Sequence, residues 1–153
     1  MMKIYKDQVV LLMKYSDIFE KNTIEAHQEV LKTVGYVWYG KVGATPSIKT
    51  LNLILLNNEY YCILHSSKNG SFLCSFTEIS ENSPQFGYPK YYEKHLENKN
   101  FFKLYFKLSR IVKLPENFHN HFYLSSSGEN ITNALNYSMG SMFIAKAYRE
   151  CEF

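Results

Sequence analysis

The sequence predicts an α+β domain: a curved, mostly antiparallel β-barrel with flanking helices. Three observations carry this. First, 13 Tyr and 11 Phe in 153 residues bias the chain towards pleated, half-buried surfaces. Second, two apolar arms flank Ser67-Lys68-Asn69-Gly70, and Asn-Gly is the turn signal of an antiparallel hairpin. Third, a helical pattern over Thr23 to Val34 sits among strand-like segments, so helices and strands are mixed along the chain. The length suits one domain, 1–153, large enough to bury a core without disulfide or metal staples.

The elements follow in order. Val9 to Met13 is a short apolar run and predicts a first strand. Asn22 caps the next helix, with Glu25 three residues on as its capping-box partner. Ile24, His27, Leu31 and Val34 follow helical spacing, and Gly35 suits the stop. The segment Gly35-Tyr36-Val37-Trp38-Tyr39-Gly40-Lys41 comes directly after and holds the single tryptophan. After Thr45-Pro46, Ser47 is a candidate cap for a second helix carrying Ile48, Leu51 and Leu55 on one face. The run Leu51 to Leu56 also fits a buried strand, and periodicity does not separate the two. Asn57-Asn58-Glu59 ends it in either case.

The hairpin arms are Tyr60 to Ser66 and Ser71 to Thr77. In the second arm Phe72, Cys74 and Phe76 alternate with polar residues, which predicts one buried face, with Leu73 out of pattern. Glu81 to Asn100 is polar, broken by Pro84, Gly87 and Pro89, and carries Tyr88, Tyr91 and Tyr92. It predicts a long loop, and long loops inside compact domains are usually functional. Phe101 to Leu114 predicts a long strand with Phe102, Leu104, Phe106 and Leu108 on the apolar face. Lys103, Tyr105 and Lys107 take the other face. Asn130 caps a short helix to about Tyr137, and Ser141 to Tyr148 closes the sheet.

Charge and composition narrow the function classes. A net charge of +3 permits a nucleic-acid partner without demanding one. Cys62, Cys74 and Cys151 form no CxxC pair and leave an odd count, against a disulfide framework or zinc site. No apolar run reaches membrane-spanning length, and Met1-Met2-Lys3 does not open a signal peptide. A reducing cytoplasm is the expected compartment.

Enzyme signatures are missing. No carboxylates pair at a spacing that suggests acid–base work, and there is no phosphate-cradling glycine loop, so neither an enzyme nor a cofactor is expected. Ser125-Ser126-Ser127-Gly128 is a turn rather than a nucleophile elbow. His119-Asn120-His121 is contiguous and lies in a loop, unlike the separated ligands of a ββα-metal nuclease.

Three aromatics between glycines, followed by a lysine, instead suggest a platform for an unstacked base. Flat rings stack on bases, glycines admit close approach, and lysine meets phosphate. A buried aromatic strand with Trp38 filling the core is the alternative. Ser66, Ser67 and Asn69 are candidate readers of a base edge, although hairpin turns carry such residues anyway. Lys41, Lys103 and Lys107 are candidate phosphate contacts.

Gly35-Tyr36-Val37-Trp38, the hairpin through Asn69-Gly70, and Phe106-Lys107-Leu108-Ser109-Arg110-Ile111 with Leu114-Pro115 together show a known order and spacing. The chain resembles the YTH and EVE branch of the PUA-like superfamily over about Thr23 to Tyr148. YTH domains have a helix, a "G-[IV]-W" strand, a hairpin, and a late strand like "FKIDWI" running into "LP". The resemblance implies a non-enzymatic reader that holds a modified or flipped base in an aromatic cage. DNA is favoured over RNA, because EVE-like domains include some fused to McrB-type restriction motors. A restriction motor or nuclease subunit is then the implied protein partner. It also implies that Trp38, and Trp38 alone, is one cage wall; Tyr36 and Tyr39 flank it as members of the aromatic platform. The family's second wall is a tryptophan in the loop before the late strand. This chain has no second Trp, and Tyr88, Tyr91 or Tyr92 would substitute. Tyr39 stands where the family has a small polar residue. The rival expectation is a small protein-interaction or regulatory domain on the same barrel, and an RNA-binding module is a third.

Overall fold

The structure is a computed structural model that describes residues 1–56 and 60–153. The expected end of the second helix at Asn57-Asn58-Glu59 lies outside the described residues. The strands are β1 (Lys3–Ile4), β2 (Val9–Lys14), β3 (Val37–Val42), β4 (Tyr60–Ser66), β5 (Gly70–Ser80), β6 (Phe102–Lys113), β7 (Phe122–Leu124), β8 (Met142–Ala147) and β9 (Cys151–Glu152). The helices are α1 (Thr23–Val34), α2 (Ile48–Ile54) and α3 (Thr132–Asn136), with single 3-10 turns at Lys90–Tyr92 and Phe118–His121.

The main sheet has the order β3-β6-β5-β4-β2-β8-β7, and β1 pairs with β9 in a separate ribbon. Every neighbouring pair is antiparallel except β2 with β4. This confirms the mixed α+β class and the mostly antiparallel sheet. Among the described residues the hydrogen-bonded ladder does not close on itself, so a closed barrel is not what the pairing shows. The sheet nonetheless curls. Val37 and Tyr39 of edge strand β3 share one apolar cluster with Leu11 and Met13 of β2, four positions away in strand order. Side chains span the remaining gap: the Lys41 ammonium donates to Ser141 Oγ at 3.0 Å, just ahead of β8.

α1 takes the predicted bounds, and its ending is as expected: Gly35 N–H returns to Leu31 O at 2.9 Å. Its start differs. The Asn22 side chain caps nothing, and the Thr23 N–H donates to Asp17 Oδ1 instead. A carboxylate six residues back serves where a capping box was expected. α2 is a helix rather than a strand, with the Ser47 hydroxyl accepting from Thr50 N–H. Ile131 rather than Asn130 takes the N-cap position of α3, while Asn130 Oδ1, one residue earlier than the cap, accepts from Thr132 N–H at 2.9 Å.

The one-faced hairpin is corrected. Cys74 and Phe76 enter the cluster beneath α1, while Leu73 enters a second cluster with Val10, Leu12, Ile63, Phe118 and Phe122. Leu73 breaks the alternation because β5 is buried on both faces. The second face of β6 also departs. Tyr105 is buried on the face expected to be polar, in a small cluster with Tyr92 and Phe102. β1, β7 and β9 carried too few residues to show in the sequence.

Candidate functional site

Alternation along β3 sorts its side chains. Val37, Tyr39 and Lys41 turn into the sheet's concave side and are buried. Tyr36, Trp38 and Gly40 take the other side, where Tyr36 and Trp38 are half-buried. Lys107 is the register partner of Trp38 on β6. Its ammonium lies 4.4 Å from the Tyr36 ring centroid and 5.9 Å from the Trp38 ring. One cation therefore covers two neighbouring rings, within the range at which a ring quadrupole attracts it.

β3 is an edge strand, and the loop before β6 closes that edge. Trp38 N–H donates to Gly87 O at 2.7 Å, and Gly40 N–H donates to the Tyr92 hydroxyl at 2.8 Å. Both glycines are needed for close approach. A Cβ on Gly87, whose φ is +77°, would come within 2.4 Å of Tyr36 Cε2. A Cβ on Gly40 would come equally close to the Phe102 ring. An unpaired edge invites strand addition, and this loop removes that edge.

Tyr92 extends the lock to α1. Its hydroxyl donates to His27 Nε2 at 2.6 Å, and His27 Nδ1–H donates to Thr23 O at 2.8 Å. Because Thr23 O can only accept, Nδ1 carries the proton and Nε2 accepts. Burial pushes the His27 pKa down to about 4, which keeps Nε2 free to accept at neutral pH. The phenol ring packs against Phe102 at 4.5 Å, Tyr91 at 4.9 Å and Tyr88 at 6.3 Å.

The structure thus gathers only some of the residues singled out by sequence. Tyr36, Trp38 and Lys107 lie together, and Tyr88 and Tyr91 pack with Trp38 around the Tyr92, Phe102 and Tyr105 rings. Tyr92 is 1% exposed and fully used by its neighbours, so it offers no open ring face. Tyr39 is buried in the core beside His27, because it has the inward parity. Lys41 is also inward: its ammonium donates to Val42 O and Ser141 Oγ, and burial lowers its pKa to about 8. Lys103 is exposed on β6.

Ser66 and Ser67 sit at the hairpin tip, where Ser66 Oγ accepts from Lys68 and Asn69 N–H. That tip lies level with Lys113, six residues of β6 beyond Lys107, or about 20 Å of strand. His119 Nδ1 pairs with Thr132 Oγ1 at 3.0 Å, and among the described residues no group of three His, Cys, Asp or Glu could hold a metal.

Sequence reading missed Gly87, His27 and Phe102. A histidine at apolar helical spacing was the one available signal for His27. Gly87 and Phe102 act through contacts between segments that no local pattern encodes.

The model of the Pua-like family matches residues 11–146. The chain belongs to the Pua-like family. No curated protein and no solved structure matches it. Pua-like domains bind nucleic acids as a class. In this Pua-like chain the matched span takes in the Tyr36–Trp38 shelf, the edge-closing loop and β6. Among the described residues no helix is long and apolar enough to cross a membrane.

Proposed function

We propose that this Pua-like domain is a non-enzymatic reader that holds a modified or flipped base against the Tyr36–Trp38 shelf. The observation that carries the reading is the Lys107 ammonium over two adjacent, half-buried rings on a strand whose edge is closed by an aromatic loop. Ring faces provide stacking, at about 1–3 kcal/mol per base. Lys107, and Lys103 farther along the same face, provide cations for flanking phosphates. Tyr88 is the stronger candidate for a second wall, since Tyr92 is occupied and Tyr91 meets His27 edge-on at 6.4 Å.

Assignment to the YTH and EVE branch rests on the motif order around Trp38. The preference for DNA, and a partner among restriction motors or nucleases, rest on that assignment. The curled sheet, bridged by Lys41 and Ser141, is consistent with the barrel of that branch. A reducing cytoplasm suits the free thiols of Cys62, Cys74 and Cys151.

A second reading has its own observation. Phe86 is 65% exposed beside a groove of about 540 Å³ between α1 and the edge-closing loop, lined in part by Val30, Thr33 and Tyr88. An exposed phenylalanine at a groove suits a protein contact. Titration of DNA and RNA oligonucleotides, each with one modified base, at a fixed and stated salt concentration separates the readings. The reader binds one modified oligonucleotide at least tenfold tighter than its unmodified twin. Equal, weak binding to all of them would leave only the interaction domain.

A further inference from the structure

Lys107 faces Trp38 across the β3–β6 pair, and alternation along β3 puts Tyr36 on the same side of the sheet. The Lys107 ammonium stands 4.4 Å from the Tyr36 ring centroid and 5.9 Å from the Trp38 ring. Stacked rings pair with their centroids about 4.5–7 Å apart. The ammonium therefore occupies the space that a stacked base would take. The Gly87 backbone crowds Tyr36 as well, where a Cβ would come within 2.4 Å of Cε2, so the loop takes part of that ring's surface.

Lys107 is loosely held there. Among the described residues its ammonium meets the two rings but has no hydrogen bond and no ion pair, since the one salt bridge joins Lys3 to Glu150. It ends a flexible four-carbon stem. A partly exposed cation–π contact is weak, equal to about two- to fivefold in an equilibrium constant. A hydrogen bond from an ammonium to a phosphate oxygen is stronger, roughly twice a bond between neutral groups. A phosphate beside the shelf draws Lys107 off the rings. A neutral base with no phosphate has to push it off. Lys103 is exposed on the same face of β6, four residues or about 13 Å of strand away, and meets a second phosphate.

Given the base-reading role proposed above, on which this rests, we propose that Lys107 sets the substrate class of the shelf. At rest it covers the Tyr36 and Trp38 rings. It uncovers them when a phosphate flanking the base takes its ammonium. The shelf then accepts a base within a nucleic-acid chain and rejects free nucleosides.

Trp38 is the only tryptophan, so its fluorescence reports on the shelf directly. The test titrates deoxyadenosine and the deoxyadenosine trinucleotide, at one stated salt concentration, into the wild type, Lys107→Ala and Lys107→Arg. Base–aromatic stacking tolerates any base, so unmodified adenine serves as the probe. The wild type should bind the trinucleotide at least about tenfold tighter than the nucleoside. Lys107→Ala should bind deoxyadenosine about two- to fivefold tighter than the wild type does, and the trinucleotide more weakly. Lys107→Arg keeps a cation for rings and phosphate and should restore the wild-type ratio. Without nucleotide, the neutral quencher acrylamide should reach Trp38 more readily in Lys107→Ala. Unchanged acrylamide quenching overturns the proposal. So does unchanged deoxyadenosine affinity in Lys107→Ala with weakened trinucleotide binding, which makes Lys107 a phosphate contact only and leaves the base shelf standing. Acrylamide quenching that rises in Lys107→Ala, while neither probe quenches Trp38 in any of the proteins, overturns the base-reading role itself and this proposal with it.

Discussion

Replacing Tyr92 with phenylalanine removes one oxygen and leaves the ring packing against Phe102 and Tyr91 in place. That oxygen has two partners, both buried. Gly40 N–H would lose its acceptor, and His27 Nε2 would lose its donor. A buried polar group left without a partner costs about 1–3 kcal/mol. Two such groups put the loss at about 2–6 kcal/mol, a large share of the 5–15 kcal/mol that holds a typical domain together. For a chain of this length each 1 kcal/mol moves the melting temperature by about 2–4 °C. Tyr92→Phe should therefore melt at least about 4 °C below the wild type. Tyr105→Phe is the control, since its hydroxyl has one side-chain partner, the exposed Ser83 at 3.2 Å, and Ser83 keeps its bond to Leu96 O. Its cost should stay within about 1 kcal/mol. If thermal melts place Tyr92→Phe within 2 °C of the wild type, roughly one half of the smallest expected shift, the lock between α1, β3 and the loop is not what holds the edge.

Three more outcomes follow from the same contacts. His27 has a folded pKa near 4 against an ordinary value near 6.5, so the unfolded chain binds the extra proton first. Its contribution is complete above pH 6.5 and is lost as pH falls towards 4, to about 3 kcal/mol in all. Urea melts at pH 7 and pH 4.5 should show it, and His27→Gln should flatten it. Lys41 is a buried base lowered to about 8, so raising pH from 8 to 10.5 should stabilise the wild type. Lys41→Met should abolish that rise and gain about 1–3 kcal/mol at pH 7, measured by the same melts. Gly87→Ala forces a side chain into Tyr36 at a positive φ, and should cost about 1–3 kcal/mol while reducing oligonucleotide affinity through displacement of the shelf.

Much of the fold was legible because it is written in local patterns. Spacing and Gly35 delimit α1, Asn69-Gly70 sets the hairpin, and Ser47 marks α2 through its side-chain oxygen. The errors share a cause. One-faced alternation on β5 and a polar second face on β6 both assume a sheet wet on one side. Here a second apolar cluster covers the outer side of β5, and aromatic rings cover Tyr105.

The site was legible in part for a related reason. Trp38 and Tyr36 share a face by strict alternation, but their pairing with Lys107 depends on the β3–β6 register. The same alternation sends Tyr39 and Lys41 inward, which their chemistry alone does not reveal. Nothing near Gly87 or Tyr92 announces a bond to β3, because those contacts join segments about 50 residues apart.

The central claim is that Trp38 serves a ligand rather than the core. The direct test is Trp38→Ala, measured for both stability and affinity against the best-binding modified oligonucleotide. Truncation of a buried core tryptophan costs about 3–5 kcal/mol. A half-buried stacking wall should cost less than about 2 kcal/mol of stability and, at about 1–3 kcal/mol per stacked base, between about 5-fold and 150-fold in affinity. A drop of several kcal/mol in stability, with affinity per folded molecule unchanged, would show that Trp38 belongs to the core and that the base is held elsewhere.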